Sequence, residues 1–356
     1  MKYLETRPPG EVTVFQILDQ GGPCQNGAWH DAAPIIFERL GAADVVVAWP
    51  TAGNNYLGKG DRLGALKVAA YVLSDVLAEI HTALLCLAQD PGAATALLRE
   101  MESKLIAASR GGLIATEREL HRVAQRLASV PLRAPVKRTA RVLLFGGVNR
   151  IFVDAPVKDF FEQRGILTKT TEMSEFICFL QAEDIMRQGF SRGYLAPVDQ
   201  GSLSVLLSEL ISADDRTVAK RAISARARIG FIEILEQRWR RIAAESGLLF
   251  SPYVPFSDVE RRGHERISLN GFTEAPLTIG RYATLLASGA FDGYINIGAF
   301  NCAPSNSASA VIHVLSLRID TPYAVIESDG DSIRRRSTAA ARDGCRPVLP
   351  GTGGAQ

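Results

Sequence analysis

Two short stretches pair a cysteine with the residues that build a sharp, amide-rich turn. The first reads Gly21-Gly22-Pro23-Cys24-Gln25-Asn26-Gly27 and the second Gly298-Ala299-Phe300-Asn301-Cys302-Ala303-Pro304-Ser305-Asn306. Each follows an apolar, strand-like run and precedes a helical pattern, so each thiol is expected at the carboxyl end of a strand. Ligands of open α/β sheets sit at that end. The helix N-terminus that follows favours a thiolate and any anionic cluster it holds. Gly and Pro let backbone N–H groups converge on one spot, as in the anion-binding nests of iron–sulfur sites. Spacing alone fits equally well two ordinary loop cysteines in strand-to-helix turns.

The remaining candidates are weaker. Cys86 and Cys178 lie within Ala83-Leu84-Leu85-Cys86-Leu87 and Phe176-Ile177-Cys178-Phe179-Leu180, apolar helical sequence in which a cysteine acts as a small core residue. Cys345 falls in the tail and reads as free. Without Cys-x-x-Cys or His-x-x-x-His, a metal site built from local sequence is excluded, whereas one assembled from distant loops is not. Gly146-Gly147-Val148-Asn149-Arg150 follows a strand but lacks the spacing and the acid of a dinucleotide fingerprint. His30, His81, His121, His264 and His313 are isolated.

The elements that must position these residues follow from apolar periodicity. Residues 12–18 and 44–49 read as buried parallel strands joined by a helix over 30–40. A long apolar helix over 63–87 carries Asp75, Glu79 and His81, and helices follow over 93–108 and 116–129. A basic, Pro-containing stretch at 130–137 marks a boundary. A second α/β run then has strands at 141–145, 166–170, 293–297 and 323–327. Its helices fall at 157–164, 202–212, 217–246, 282–288 and 308–317, with a polar loop over 300–307. The pattern predicts an α/β protein of two doubly wound, Rossmann-like parallel-sheet domains, 1–135 and 136–333, facing each other across a cleft with helical insertions. A tail over 334–356, rich in Arg, Ala, Gly and Pro, is expected to be disordered.

Composition sets outer bounds. The 356 residues are 47% hydrophobic and 22% charged, and 40 Lys+Arg against 38 Asp+Glu leave a charge of +2. That balance gives no general electrostatic reason to bind nucleic acid or an anionic membrane. The stretch Lys220 to Arg241 is locally basic, which suits the solvated face of a core helix or a surface for an acidic partner or the phosphates of a coenzyme. No stretch approaches the roughly 20 apolar residues of a membrane span. Residues 1–9 contain no apolar signal region, so a cytoplasmic protein is expected.

Several segments, taken in order, resemble one family. Val14-Phe15-Gln16-Ile17-Leu18 followed by Gly22-Pro23-Cys24-Gln25-Asn26-Gly27-Ala28-Trp29 is similar to the Gly-Pro-Cys segment of the large acyl-CoA dehydratase activase-related proteins. These belong to the 2-hydroxyacyl-CoA dehydratase/benzoyl-CoA reductase superfamily. Leu40-Gly41-Ala42-Ala43-Asp44-Val45-Val46-Val47 and Asn55-Tyr56-Leu57-Gly58 resemble the region that follows. Phe300-Asn301-Cys302-Ala303-Pro304-Ser305-Asn306-Ser307 is similar to the family's Phe-x-Cys-x-Pro-Asp-Ser loop, and Tyr323-Ala324-Val325-Ile326-Glu327-Ser328-Asp329 to its closing strand. The likeness runs over about residues 12–332.

The resemblance implies an iron–sulfur protein that receives low-potential electrons from an activator ATPase of the acetate/sugar kinase–Hsc70 fold. It implies a 4Fe-4S cluster or a pair of bridged cubanes, with an acyl-CoA thioester as the substrate class of the system. Carried over residue by residue, it makes Cys24 and Cys302 cluster ligands, places Pro23, Gln25, Asn301 and Pro304 around them, and makes Asn149 the retained residue of the family's Gly-Arg-Pro-Tyr-Asn loop. The upstream Cys-Pro-Lys segment of the family's long form has no counterpart here, and Ile80-His81-Thr82-Ala83 stands where the family has Arg-Pro-Tyr-Glu. A cubane takes one thiolate per iron. Two cysteines therefore imply a cluster shared with a cysteine-bearing paralogous subunit, a contribution from Cys178, or a cluster-free scaffold. A small-ligand-binding α/β module is a further alternative.

Overall fold

The computed structural model describes residues 2–17, 28–49, 60–146, 155–187, 216–267 and 274–328. It is a mixed α/β protein with two parallel sheets. A short helix α1 (Lys2–Thr6) precedes the first sheet, in which β1 (Thr13–Gln16) pairs in parallel with β2 (Val45–Ala48) across helix α2 (Trp29–Arg39). Arg7 fastens the unit by donating to the Thr13 hydroxyl at 2.6 Å and pairing with Asp44. Among the described residues of this unit, the buried apolar ones are Ile17, Ala33 and Ala48, while Val12, Val14, Ile35, Ile36 and Val46 are exposed.

The second sheet has the order β4-β3-β5-β6, all parallel, from β3 (Arg141–Phe145), β4 (Leu167–Thr170), β5 (Gly293–Ala299) and β6 (Tyr323–Ser328). Alternation along the strands separates two faces. Leu143, Phe145, Leu167 and Tyr294 enter the main core, whereas Val142, Leu144, Ile295 and Ile297 form a smaller cluster with Val157 of helix α6 (Ala155–Glu162). From β3 the chain moves to β4 on one side, and it returns to β5 on the other. The strand order therefore reverses between β3 and β5.

Helices α3 (Gly60–Leu87), α4 (Pro91–Ser109), α5 (Leu113–Ala128), α7 (Met173–Arg187) and α8 (Arg216–Ala243) share the main core with that sheet. The start of α4 is dictated locally. Asp90 caps it by accepting from the Ala93 amide at 2.9 Å, and Pro91 occupies a first-turn position where no N–H is needed. Helices α9 (Phe256–His264) and α10 (Ala275–Ser288) cross in near backbone contact, since a Cβ on Gly280 would meet the Val259 carbonyl oxygen at 1.8 Å.

Three expectations change. Residues 303–307, read as loop, open helix α11 (Ala303–Ser316), because Pro304 sits in its first turn rather than breaking it. Helix α10 begins well before residue 282, again with a proline, Pro276, in its first turn. And α3 is, over Gly64–Leu87, long and apolar enough to cross a membrane by length and composition, although 61% of its most apolar window is buried inside the protein. The expected helix at 202–212 and the tail at 334–356 lie outside the described residues.

Candidate functional site: the carboxyl ends of the parallel strands

At the point where the strand order reverses, β3 ends in Gly146 and β5 runs into the turn that carries Asn301 and Cys302. Such a reversal opens a crevice for ligands at the strand ends. Gly146 has φ +125°, and a Cβ there would stand 2.2 Å from the Ile297 carbonyl oxygen, so only glycine lets the two strands end so close together. Behind the turn, the buried Asn296 donates from Nδ2 to the Ser309 hydroxyl at 2.8 Å and ties β5 to α11. A side chain on Gly298 would collide with Ser305 at 1.9 Å, which holds the first turn of α11 against the strand end.

Asn301 takes a left-handed φ of 55°, a conformation open to Asn at modest cost, and it re-aims the chain into the helix. Cys302 is the N-cap of α11. Its amide donates to the Ala299 carbonyl at 3.1 Å and its carbonyl accepts from Asn306 at 2.9 Å. The thiol is half-buried. Burial pushes its pKa up, and the Ser305 amide pulls it back. Pro304 is buried beneath the turn. Of the residues singled out from sequence, Asn301, Cys302 and Pro304 thus share one turn, whereas Pro23, Cys24, Gln25 and Asn149 lie outside the described residues, as does the expected meeting of Cys24 with Cys302.

The other described cysteines are core residues, as their apolar surroundings predict. Cys86 is pushed up to about 12 by burial and donates toward the carbonyls of Glu162 and Ile166 at 3.8 and 3.6 Å. Cys178 is 1% exposed, and burial followed by the field of Glu233 raises its thiol far above the usual range. A thiolate at Cys178 is therefore strongly disfavoured. Among the described residues no group of three or more His, Cys, Asp and Glu side chains is arranged to hold a metal ion.

A second polar cluster, which the sequence reading did not assemble, lies at the carboxyl end of β4. Lys169 donates to Glu79 of α3 at 3.0 Å and to Glu172 at 2.7 Å. Arg240 of α8 reaches Glu172 at 3.0 Å and Glu79 at 3.1 Å, and Arg281 of α10 pairs with Glu175. Glu79 Oε1 also accepts from the Phe250 and Ser251 amides, each at 2.6 Å. Burial alone would raise the Glu79 pKa, but Lys169, Arg240 and those amides hold it at about 2. Asp75, one helical turn before Glu79, accepts from the Met173 and Ser174 amides at 3.1 and 2.9 Å and so secures the start of α7. Burial and then Glu172 push the pKa of Glu236 far upward, which favours its protonated form.

The sequence did carry a signal for this cluster. Asp75 and Glu79 stand four apart in an otherwise apolar helix, which places them on one face. The basic helix α8 resolves accordingly: Ile229, Ile232, Leu235 and Trp239 enter the core, Arg238 pairs with Glu117 on the surface, and Arg240 alone of the described arginines on α8 enters the buried cluster. The cluster clamps four helices to one strand end. A void of about 10 Å³ beside Glu79 and Lys169 leaves room for little more than one water.

No family model matches the chain, and neither a curated protein nor a solved structure matches it.

Proposed function

We propose that the chain is an iron–sulfur electron-transfer subunit of an ATP-dependent dehydratase/reductase system of the 2-hydroxyacyl-CoA dehydratase/benzoyl-CoA reductase type. One observation carries the reading. Cys302 caps a helix at the carboxyl end of a central strand, beside the reversal of strand order, where the helix N-terminus and the Ser305 amide act on its half-buried thiol. In this reading the chain has two Rossmann-like domains facing across a cleft. Cys302 holds one corner of a 4Fe-4S cluster and Cys24 a second, with Pro23, Gln25, Asn149, Asn301 and Pro304 shaping the loops. Cys24 and Cys302 would supply two of the four thiolates a cubane takes, so the cluster is read as shared with a cysteine-bearing paralogous subunit. When bound, it would supply one-electron transfer at low potential, charged by an activator ATPase in the cytoplasm and directed at an acyl-CoA thioester.

The experiment is anaerobic purification of the chain alone and with candidate partner subunits, followed by iron and sulfide counts and EPR after reduction. Bound iron that falls in Cys24→Ala and Cys302→Ala without loss of fold supports the reading. A second reading, a cluster-free scaffold subunit, is favoured by the raised pKa of the Cys302 thiol. A complex that forms normally yet carries no iron, and that is indifferent to both substitutions, selects it.

A further inference from the structure

Helix α3 is apolar on two faces; one is wholly buried in the main core, and the other, which the core covers only in part, borders a groove. Val72, Val76, Ile80 and Leu84 are wholly buried on the core side. On the other side Leu66, Ala70, Leu73, Leu77 and His81 recur at helical spacing along a groove of about 730 Å³ between α3, α4 and α5. Small residues on that face, Ala69, Ala70, Ser74 and Ala78, leave the space opposite Leu105, Ile106 and Leu113 unfilled. The volume lies within the roughly 300–1,000 Å³ of small-molecule sites, which are mostly apolar with a few converging polar groups. Ile106, on the rim, is 64% exposed.

The polar groups of the groove ask for an acceptor. Trp239, 1% exposed, lines it, and its indole N–H, itself shielded from solvent, has no hydrogen-bond partner among the described residues. A buried donor left unpaired is costly and uncommon. Lys158 also lines the groove. Among the described residues its partner is Glu162 at 3.4 Å, through an oxygen that already accepts from Thr82 at 3.0 Å and Thr168 at 2.8 Å. The ammonium is therefore loosely held. Lys158, Arg110 and His81 face a single lining acid, Glu102.

From the loosely held ammonium and the apolar floor, we infer that this groove binds a monomeric long-chain carboxylate, its hydrocarbon chain along α3, α4 and α5 and its carboxylate at Lys158. The inference is independent of the redox reading. Apolar burial supplies the chain's affinity, and a charge-assisted hydrogen bond supplies preference for the acid over the alcohol of equal length.

The test is calorimetric titration of the full chain with monomeric dodecanoate and, separately, with dodecan-1-ol. Dodecanoate should bind saturably at one site, roughly tenfold to a hundredfold tighter than the alcohol, as one charge-assisted hydrogen bond predicts. Lys158→Gln should erase that preference. Ala70→Phe should fill the groove and abolish binding, and Ile106→Asp, at an exposed rim position that does not threaten folding, should weaken dodecanoate more than dodecanol. Iron uptake with a partner subunit should be unchanged in all three variants, which separates this site from the cluster. Absence of saturable binding, equal affinity for acid and alcohol, binding indifferent to Ala70→Phe and Ile106→Asp, or binding only to anionic phospholipid vesicles would each overturn the assignment.

Discussion

Lys169 and Glu79, 90 residues apart in the chain, meet at 3.0 Å with almost no exposure of either side chain. The pair joins the end of a strand to the middle of a helix, and Arg240 and Glu172 close the ring around it. Its members come from elements that share no local sequence logic. Each ion is expensive to bury, and each is compensated by several partners rather than one.

Removing one member should therefore cost far more than removing a surface charge. Glu79→Gln or Lys169→Met should each lower unfolding free energy by about 3–5 kcal/mol, the range for an uncompensated buried charge. The double variant should fall well short of the sum, because the partners are coupled. Urea denaturation of the three variants checks this, and simple additivity would show that the two residues act independently.

Acid should weaken the fold through the same residue. The folded Glu79 carboxyl titrates near 2 against an ordinary 4.5, because Lys169, Arg240 and two amides outweigh its burial. A depressed folded value contributes stability above pH 4.5 that is lost as pH falls toward 2, a loss of about 3 kcal/mol. Stability measured from pH 6 to pH 2 should show this slope in the wild type and a shallower one in Glu79→Gln.

Glu236 should act in the opposite sense. Burial and Glu172 raise its pKa, so the folded chain keeps a proton that the unfolded chain releases above about pH 4.5. Stability should drift downward as pH rises from there toward its folded value. Glu236→Gln mimics the protonated form, and it should flatten the drift with little other cost. An unchanged pH profile would place the proton elsewhere.

The crossing of α9 and α10 leaves no space for a methyl group at two positions. A Cβ on Gly263 would lie 2.0 Å from the Pro276 carbonyl oxygen, and one on Gly280 1.8 Å from that of Val259. Gly280→Ala should cost about 1–3 kcal/mol or more by forcing the helices apart. Gly230→Ala, on α8 with open space around it, should be neutral or slightly stabilising. Comparison of the two melting temperatures tests the contact.

The cysteine turn gives a chemical prediction. With its thiol pKa raised by burial, Cys302 should alkylate with iodoacetamide at pH 7.5 several-fold more slowly in the folded chain than in urea. Cys86 and Cys178 should be slower still, being more deeply buried. Rapid labelling of Cys302 in the folded chain would show an exposed, activated thiolate.

Elements with a local signature were legible in the sequence. Residues 141–145 form a strand with the expected bounds, and β1, β2, α2 and β6 lie within a residue or two of theirs, because each is a short apolar run bounded by Gly, Pro or a polar stop. The turn at Asn301-Cys302 was placed correctly at a strand's end for the same reason. Elements whose apolar face is interrupted were less so. Helix α9 carries Asp258, Glu260, Arg261 and Arg262 within nine residues, and its helical register shows only once Phe256 and Val259 find the core. The Glu79 cluster was hidden for a different reason: Lys169, Glu172, Arg240 and Arg281 belong together only through tertiary packing, and nothing in their spacing announces it.

Asp75 sits near the centre of Gly64–Leu87, the one segment among the described residues apolar enough to be taken for a membrane span. On insertion scales a central aspartate opposes entry into the bilayer by about 2.5–3.5 kcal/mol, whereas each Leu or Val favours it by only a few tenths. Glu79, one turn on, adds a second charge. The carboxylates that fasten α3 to its neighbours thus have a second effect: they set the energetics of this apolar sequence against entry into hydrocarbon.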